Sequence, residues 1–146
     1  MPQFVVKWEN FTPSATNVPT IVSAASRRLR VLAVEVGGAG ATAAAQALVM
    51  SRSATGTTPG GAVTPTAVHA DASAVQFTAP LTWAAAPAGG NSGVVLPYHS
   101  LGGGFRWTPA GKILPMEARN GEVICFKPPA GVTPQATNLS VLVEED

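Results

Sequence analysis

The run Arg27-Arg28-Leu29-Arg30-Val31-Leu32-Ala33-Val34-Glu35-Val36-Gly37-Gly38 limits what this chain can fold into more than any other stretch. From a strand, Leu29, Val31 and Ala33 would point one way. Arg30, Leu32, Val34 and Val36 would point the other way, with Glu35 back on the first face. The run is rich in β-branched residues and ends on a Gly pair, as strands do. Three arginines place its start at a wet surface. Both faces of its middle are apolar, which predicts a strand covered on both sides. It reads as the first central strand of a sandwich.

The rest of the chain is punctuated too densely for long helices. Gly 15 and Pro 13 are spread through 146 residues, and short apolar runs lie between them. Residues 3–8 alternate weakly and read as a strand or an extended arm. Residues 9–19 read as loop. Residues 44–52 are Ala-rich, but Leu48-Val49-Met50 returning after a glycine turn favours a strand. Further short strands are expected at 75–78, 81–83, 94–96, 105–107, 113–116, 122–127 and 139–143. Asn120-Gly121 is the strongest local hairpin signal. Residues 53–73 form a long excursion, of the kind that usually touches something. The expected architecture is an all-β, jelly-roll-like sandwich of about eight short antiparallel strands. An extended arm over residues 1–19 precedes a domain over 20–146.

Charge narrows the function classes. Charged residues make up 12% and the net charge is +1, which excludes a strongly basic nucleic-acid binder. So few charges leave a poorly protected surface, and burial against other chains is the natural remedy. The single Cys125 allows no intrachain disulfide. No apolar run reaches the length of a membrane helix. The first residues carry no secretion signal, so synthesis in a host cytoplasm is expected.

Candidate chemistry is thin. Gly38-Ala39-Gly40-Ala41-Thr42-Ala43 formally fits a dinucleotide fingerprint, but no acid follows until Asp71. A turn is the better reading. His99-Ser100 are adjacent, with no nucleophile elbow. Cys125 sits mid-strand, where a buried inert thiol is expected. Glu117 and Glu122 flank a turn and read as solvated charges. Trp8, Trp83 and Trp107 read as core. No catalytic, cofactor or metal residues are assigned, and the chain is expected not to be an enzyme.

Several phrases carry a resemblance. They are Thr12-Pro13, Asn17-Val18-Pro19-Thr20-Ile21-Val22, Arg27-Arg28-Leu29-Arg30-Val31, and Ser51-Arg52-Ser53-Ala54-Thr55-Gly56-Thr57-Thr58-Pro59-Gly60-Gly61. Gly103-Gly104-Phe105-Arg106-Trp107, Arg119-Asn120-Gly121-Glu122 and the acidic end Glu144-Glu145-Asp146 join them. Together they resemble small structural proteins of tailed bacteriophages, in particular head decoration (cement) proteins. The resemblance implies a β-rich jelly roll on the capsid surface, bracing major capsid protein subunits, with no catalytic residues to transfer. A closed homotrimer matches the three-fold junctions of such shells. Its seams are expected at Ala84-Ala85-Ala86, at Gly102-Gly103-Gly104 and in the 53–73 loop. Interface residues are expected at Phe4, Trp8 and Phe11 on the arm, and at Arg27 and Arg28. No nucleic acid and no membrane is expected as partner. The other reading of the same fold is a carbohydrate-binding or adhesion module of a phage tail or fibre.

Overall fold

The computed structural model describes residues 1–89, 93–110 and 116–146. Among them the chain is all-β, with twelve strands and no helix. In chain order these are β1 (Gln3–Phe11), β2 (Thr20–Val22), β3 (Arg28–Gly38), β4 (Ala45–Ser53), β5 (Thr57–Gly60) and β6 (Thr66–Ala67). They continue as β7 (Thr82–Ala85), β8 (Val94–His99), β9 (Gly104–Trp107), β10 (Glu117–Arg119), β11 (Val123–Lys127) and β12 (Thr137–Glu145). The larger sheet runs β10-β3-β12-β1-β6, with β9 also on β3. The smaller sheet runs β2-β11-β4-β8, and β5 and β7 form a separate ribbon. All strand pairs are antiparallel.

The two sheets close over one core. β1, β3 and β12 supply Trp8, Val34 and Val141; β4, β8 and β11 supply Met50, Leu96 and Phe126. The Trp8 and Phe126 rings meet across the gap with centroids 6.3 Å apart. At one end, Tyr98 of β8 reaches Thr137 of β12 at 2.8 Å. The Thr137 hydroxyl already donates to the Gln135 carbonyl, so the Tyr98 hydroxyl is the donor here. The ribbon covers part of the smaller sheet's outer face. There Trp83 packs with Val18 and Cys125, and its Nε1 donates to the Val18 carbonyl and the Thr20 hydroxyl.

The expected arm is a core strand. β1 lies between β12 and β6 in the larger sheet. Phe4, Trp8 and Phe11 are 2%, 1% and 5% exposed, so they hold the domain together and cannot be an attachment surface. Their apolarity was a correct signal of burial. What it could not convey was that the cover comes from the same chain, Phe77 on Phe4 and Phe126 on Trp8.

The two-faced apolarity of β3 also has a local cause. Val31 pairs with Val143 and Ala33 with Leu142, so Leu32 is an extra residue, a β-bulge. A bulge shifts the two-residue alternation by one. Leu29 and Val31 face the core before it, and Val34 and Val36 face the core after it. The strand buries one face in two phases rather than both faces. β1 repeats the device between Trp8 and Phe11. Asn10 there has φ 48°, and its amide donates to the Asn138 side chain at 2.7 Å, which satisfies the N–H that the bulge frees.

The 44–52 strand is present as β4, and 94–96, 105–107 and 139–143 fall within β8, β9 and β12. Residues 75–78 form no strand, only a bridge from Thr78 to Val22. Residues 113–115 lie outside the described residues. Asn120 and Gly121 both take positive φ, 53° and 82°, as the Asn-Gly turn predicts. The strands it joins do not pair with each other, however. β10 adds to the larger sheet and β11 to the smaller one, so the turn is a corner between layers.

Candidate functional site

The outer face of the larger sheet is laid out in rows across neighbouring strands. Lys7, Ser140, Glu35 and Arg106 stand opposite one another on β1, β12, β3 and β9. Arg106 Nη1 lies 3.2 Å from Glu35 Oε1, with both side chains more than half exposed. One step along, Asn138, Gly37 and Gly104 are opposite each other. A Cβ on Gly37 would meet nothing closer than 3.9 Å, and one on Gly104 nothing closer than 3.5 Å. Packing does not require glycine at either place; their effect is to leave bare backbone on the floor of a depression of about 550 Å³. Gly38 differs. Its Cβ would collide with the His99 and Ser100 carbonyl oxygens, so the glycine motif serves chain packing after β3, as the turn reading expects.

A second row joins Gln3, Glu144, Arg30 and Glu117. Arg30 Nε donates to Glu117 at 2.8 Å and its Nη1 to Glu144 at 3.4 Å. Arg119 Nη2 donates to the other Glu117 oxygen at 3.0 Å. Between the two rows runs an apolar one, Val5, Leu142 and Ala33. The Glu117 carboxyl is held below the usual carboxylate range, first by the Arg119 hydrogen bond, against an opposing push from burial, and then by Arg30. A lowered folded-state pKa contributes stability above the unfolded value. That contribution is lost as pH falls through the folded value. Glu117→Gln is therefore expected to cost about 1 kcal/mol or less at neutral pH. It should also flatten the acid limb of stability below about pH 4, as read from urea midpoints against pH.

The smaller sheet offers a different surface. On the outer side of its edge strand β8, Val95 and Pro97 stand opposite Val49 and Ala47, and His99 opposite Ala45. Val95 is 55% exposed and Leu101, just beyond the strand, 54%. Among the described residues, Ala45, Val95, Pro97 and Leu101 are exposed and Ala47 half-buried, an apolar patch beside the half that the β5–β7 ribbon covers, with His99 at its end and Lys127 across Val49 from Val95.

The remaining sequence candidates are placed as follows. Arg27 is exposed and Arg28 half-buried at the entrance to β3, beside Asp146, whose backbone pairs with that of Arg28. Cys125 is buried against Ser51, and burial pushes its thiol pKa up. The Ser100 hydroxyl accepts from the Ala44 amide and donates to the Thr42 carbonyl. His99 Nδ1 accepts from the Leu101 amide. The two neighbours are thus turned to separate structural tasks. Glu122 accepts from the Arg119 amide. Trp8 and Trp83 are buried, and Trp107 is partly buried against the core. Among the described residues, no three His, Cys, Asp or Glu side chains cluster. Comparison of the chain with family profiles, with curated proteins and with solved structures finds no match.

Proposed function

We propose that this chain is a structural protein of a phage virion, not an enzyme. It binds the outside of the capsid as a homotrimer and stabilises contacts between major capsid protein subunits. The observation that carries the reading is the half-covered outer face of the smaller sheet. The ribbon shields one half through Trp83, while Ala45, Val95, Pro97 and Leu101 stand exposed on the other among the described residues. An apolar patch on an edge strand is suited to burial against another chain. The attachment that the sequence placed on Phe4, Trp8 and Phe11 passes to this patch. The jelly-roll-like assignment draws support from the path of the chain, which crosses between the two sheets from β1 to β2, β2 to β3, β3 to β4, β8 to β9, β10 to β11, and β11 to β12.

The test is Val95→Lys, since lysine is tolerated on edge strands. The wild type is expected to sediment as a trimer and to coat undecorated capsids. The variant should keep its melting temperature, sediment as a monomer and lose at least about tenfold in coating, the value of 1.4 kcal/mol. A wild type monomeric both in solution and on the particle rejects the trimer. Failure to coat any capsid rejects the virion role.

The depression on the larger sheet favours a second reading, a glycan-binding module. Its exposed Lys7, Glu35, Arg106 and Asn138 surround a bare backbone floor. Saccharide binding that Gly37→Val abolishes would support that reading over the first.

A further inference from the structure

The charged rows on the outer face of the larger sheet are followed by a further one at the entrance to β3. Arg28 and Asp146 exchange backbone hydrogen bonds at 3.2 and 2.9 Å, so Asp146 stands opposite Arg28 just past the end of β12. On its other side Arg28 stands opposite Arg119 of β10. The row before it alternates in sign, with Arg30 between Glu144 and Glu117. This one runs acid, base, base. Like charges directly opposite on neighbouring strands are destabilising, and an acid at position 119 would have continued the alternation.

Arg119 finds relief along its own strand, where Nη2 meets Glu117 at 3.0 Å. Arg28 is half-buried and takes part in no ion pair among the described residues. Its charge reaches Glu117 only at longer range. Arg27, its exposed neighbour, takes part in none either, and Asp146 pairs with none of the three. A local rule broken without gain to the folded chain marks a functional site. Ser26, Arg27, Arg28, Arg119, Asn120 and Asp146 line a cleft of about 390 Å³ there. Two interlocked turns fix its wall. The Ser26 amide donates to Asn120 Oδ1 at 3.1 Å, and the Asn120 amide to the Arg27 carbonyl at 3.4 Å.

We propose that this cleft docks an acidic segment of a partner protein, with an Asp or Glu side chain of the partner bridging Arg28 and Arg119 and with Arg27 closing on it from the rim. That the partner is the capsid rests on the reading above; the site itself does not. The incoming carboxylate supplies the anion that the row lacks and turns a repulsion into charge-assisted hydrogen bonds. Guanidinium forks match carboxylates and phosphates alike. Asp146 on the rim opposes a dianion more than a single carboxylate, and in the neighbouring row Arg30 already takes two carboxylates.

The test is calorimetric titration of a short polyglutamate peptide, and separately of inorganic phosphate, into the folded full chain. The wild type is expected to bind the peptide, and phosphate more weakly. Arg28→Gln should weaken the peptide at least about tenfold. Its Tm should equal or exceed that of the wild type, since a repulsion goes with the charge. Arg52→Gln removes the same charge from the cleft on the other side of Arg119 and should bind as the wild type does. No heat with the peptide would overturn the proposal, as would tighter binding of phosphate. So would an equal loss in Arg52→Gln, which would make net charge the attractant, or a lowered Tm in Arg28→Gln with binding unchanged, which would make Arg28 structural. No capsid enters the titration, so its failure leaves the virion reading standing, and failure to coat capsids leaves this site standing.

Discussion

Removing residues 1–11 is expected to abolish cooperative unfolding rather than to detach an appendage. β1 is an interior strand of the larger sheet. Its loss would strip β12 of one whole side of its ladder and take Phe4, Val6, Trp8 and Phe11 out of the core. Large buried side chains cost about 3–5 kcal/mol each when truncated to alanine. A domain of this size holds roughly 5–15 kcal/mol in total. Circular dichroism and urea unfolding of the truncated chain should show no sigmoidal transition. A truncated chain with a near-normal transition would mean that β1 is dispensable.

Phe126→Ala is expected to be the most damaging substitution of the smaller sheet. Phe126 is fully buried on β11 and meets Trp8 of the opposite sheet with the two rings tilted at 52°. Deleting the ring leaves a hole between two sheets whose hydrogen-bonded ladders resist collapse into it. The expected loss is about 3–5 kcal/mol, or about 10 °C in Tm. Phe126→Leu should recover most of it. A double-mutant cycle with Trp8→Phe would isolate the ring contact, worth about 0.5–1.5 kcal/mol. A cost below about 1 kcal/mol for Phe126→Ala would place the sandwich's centre elsewhere.

The all-β class was legible because glycines, prolines and short β-branched runs are local signals. β4 was legible for the same reason, once Leu48-Val49-Met50 outweighed the alanines before it. β1 was half legible. Phe4, Val6 and Trp8 announced burial, but their partner strand lies at the far end of the sequence, and periodicity carries no information about partners. The bulges at Leu32 and Asn10 were invisible for a related reason. A one-residue phase slip looks like apolarity on both faces until the register against β12 is known. The Asn120-Gly121 turn was right in its dihedral angles and wrong in its consequence, because turn chemistry fixes the bend and not the sheet each arm joins. The outer-face rows could not be read at all. Lys7, Glu35, Arg106 and Ser140 are scattered in sequence, and only strand order brings them together. Glu145 stood only as one of three acids in a row, and its inward phase on β12 was the signal that could have singled it out as buried.

The pairing of Gln3 with Glu144, 141 residues apart along the chain, sets the order in which the molecule can be made. β12 is the strand to which both β1 and β3 bond, and it leaves the ribosome after all the others. Until then β1 and β3 are two apolar ribbons with no common neighbour, and the larger sheet cannot close. Loop closure across nearly the whole sequence must precede the contacts that reward it. The smaller sheet is under a milder version of the same constraint, since β4 and β8 can pair before β11 arrives. The larger sheet therefore closes late, once β12 has been made. Between synthesis and closure the exposed edges of β1 and β3 are where this chain is most open to pairing with a neighbour of its own kind.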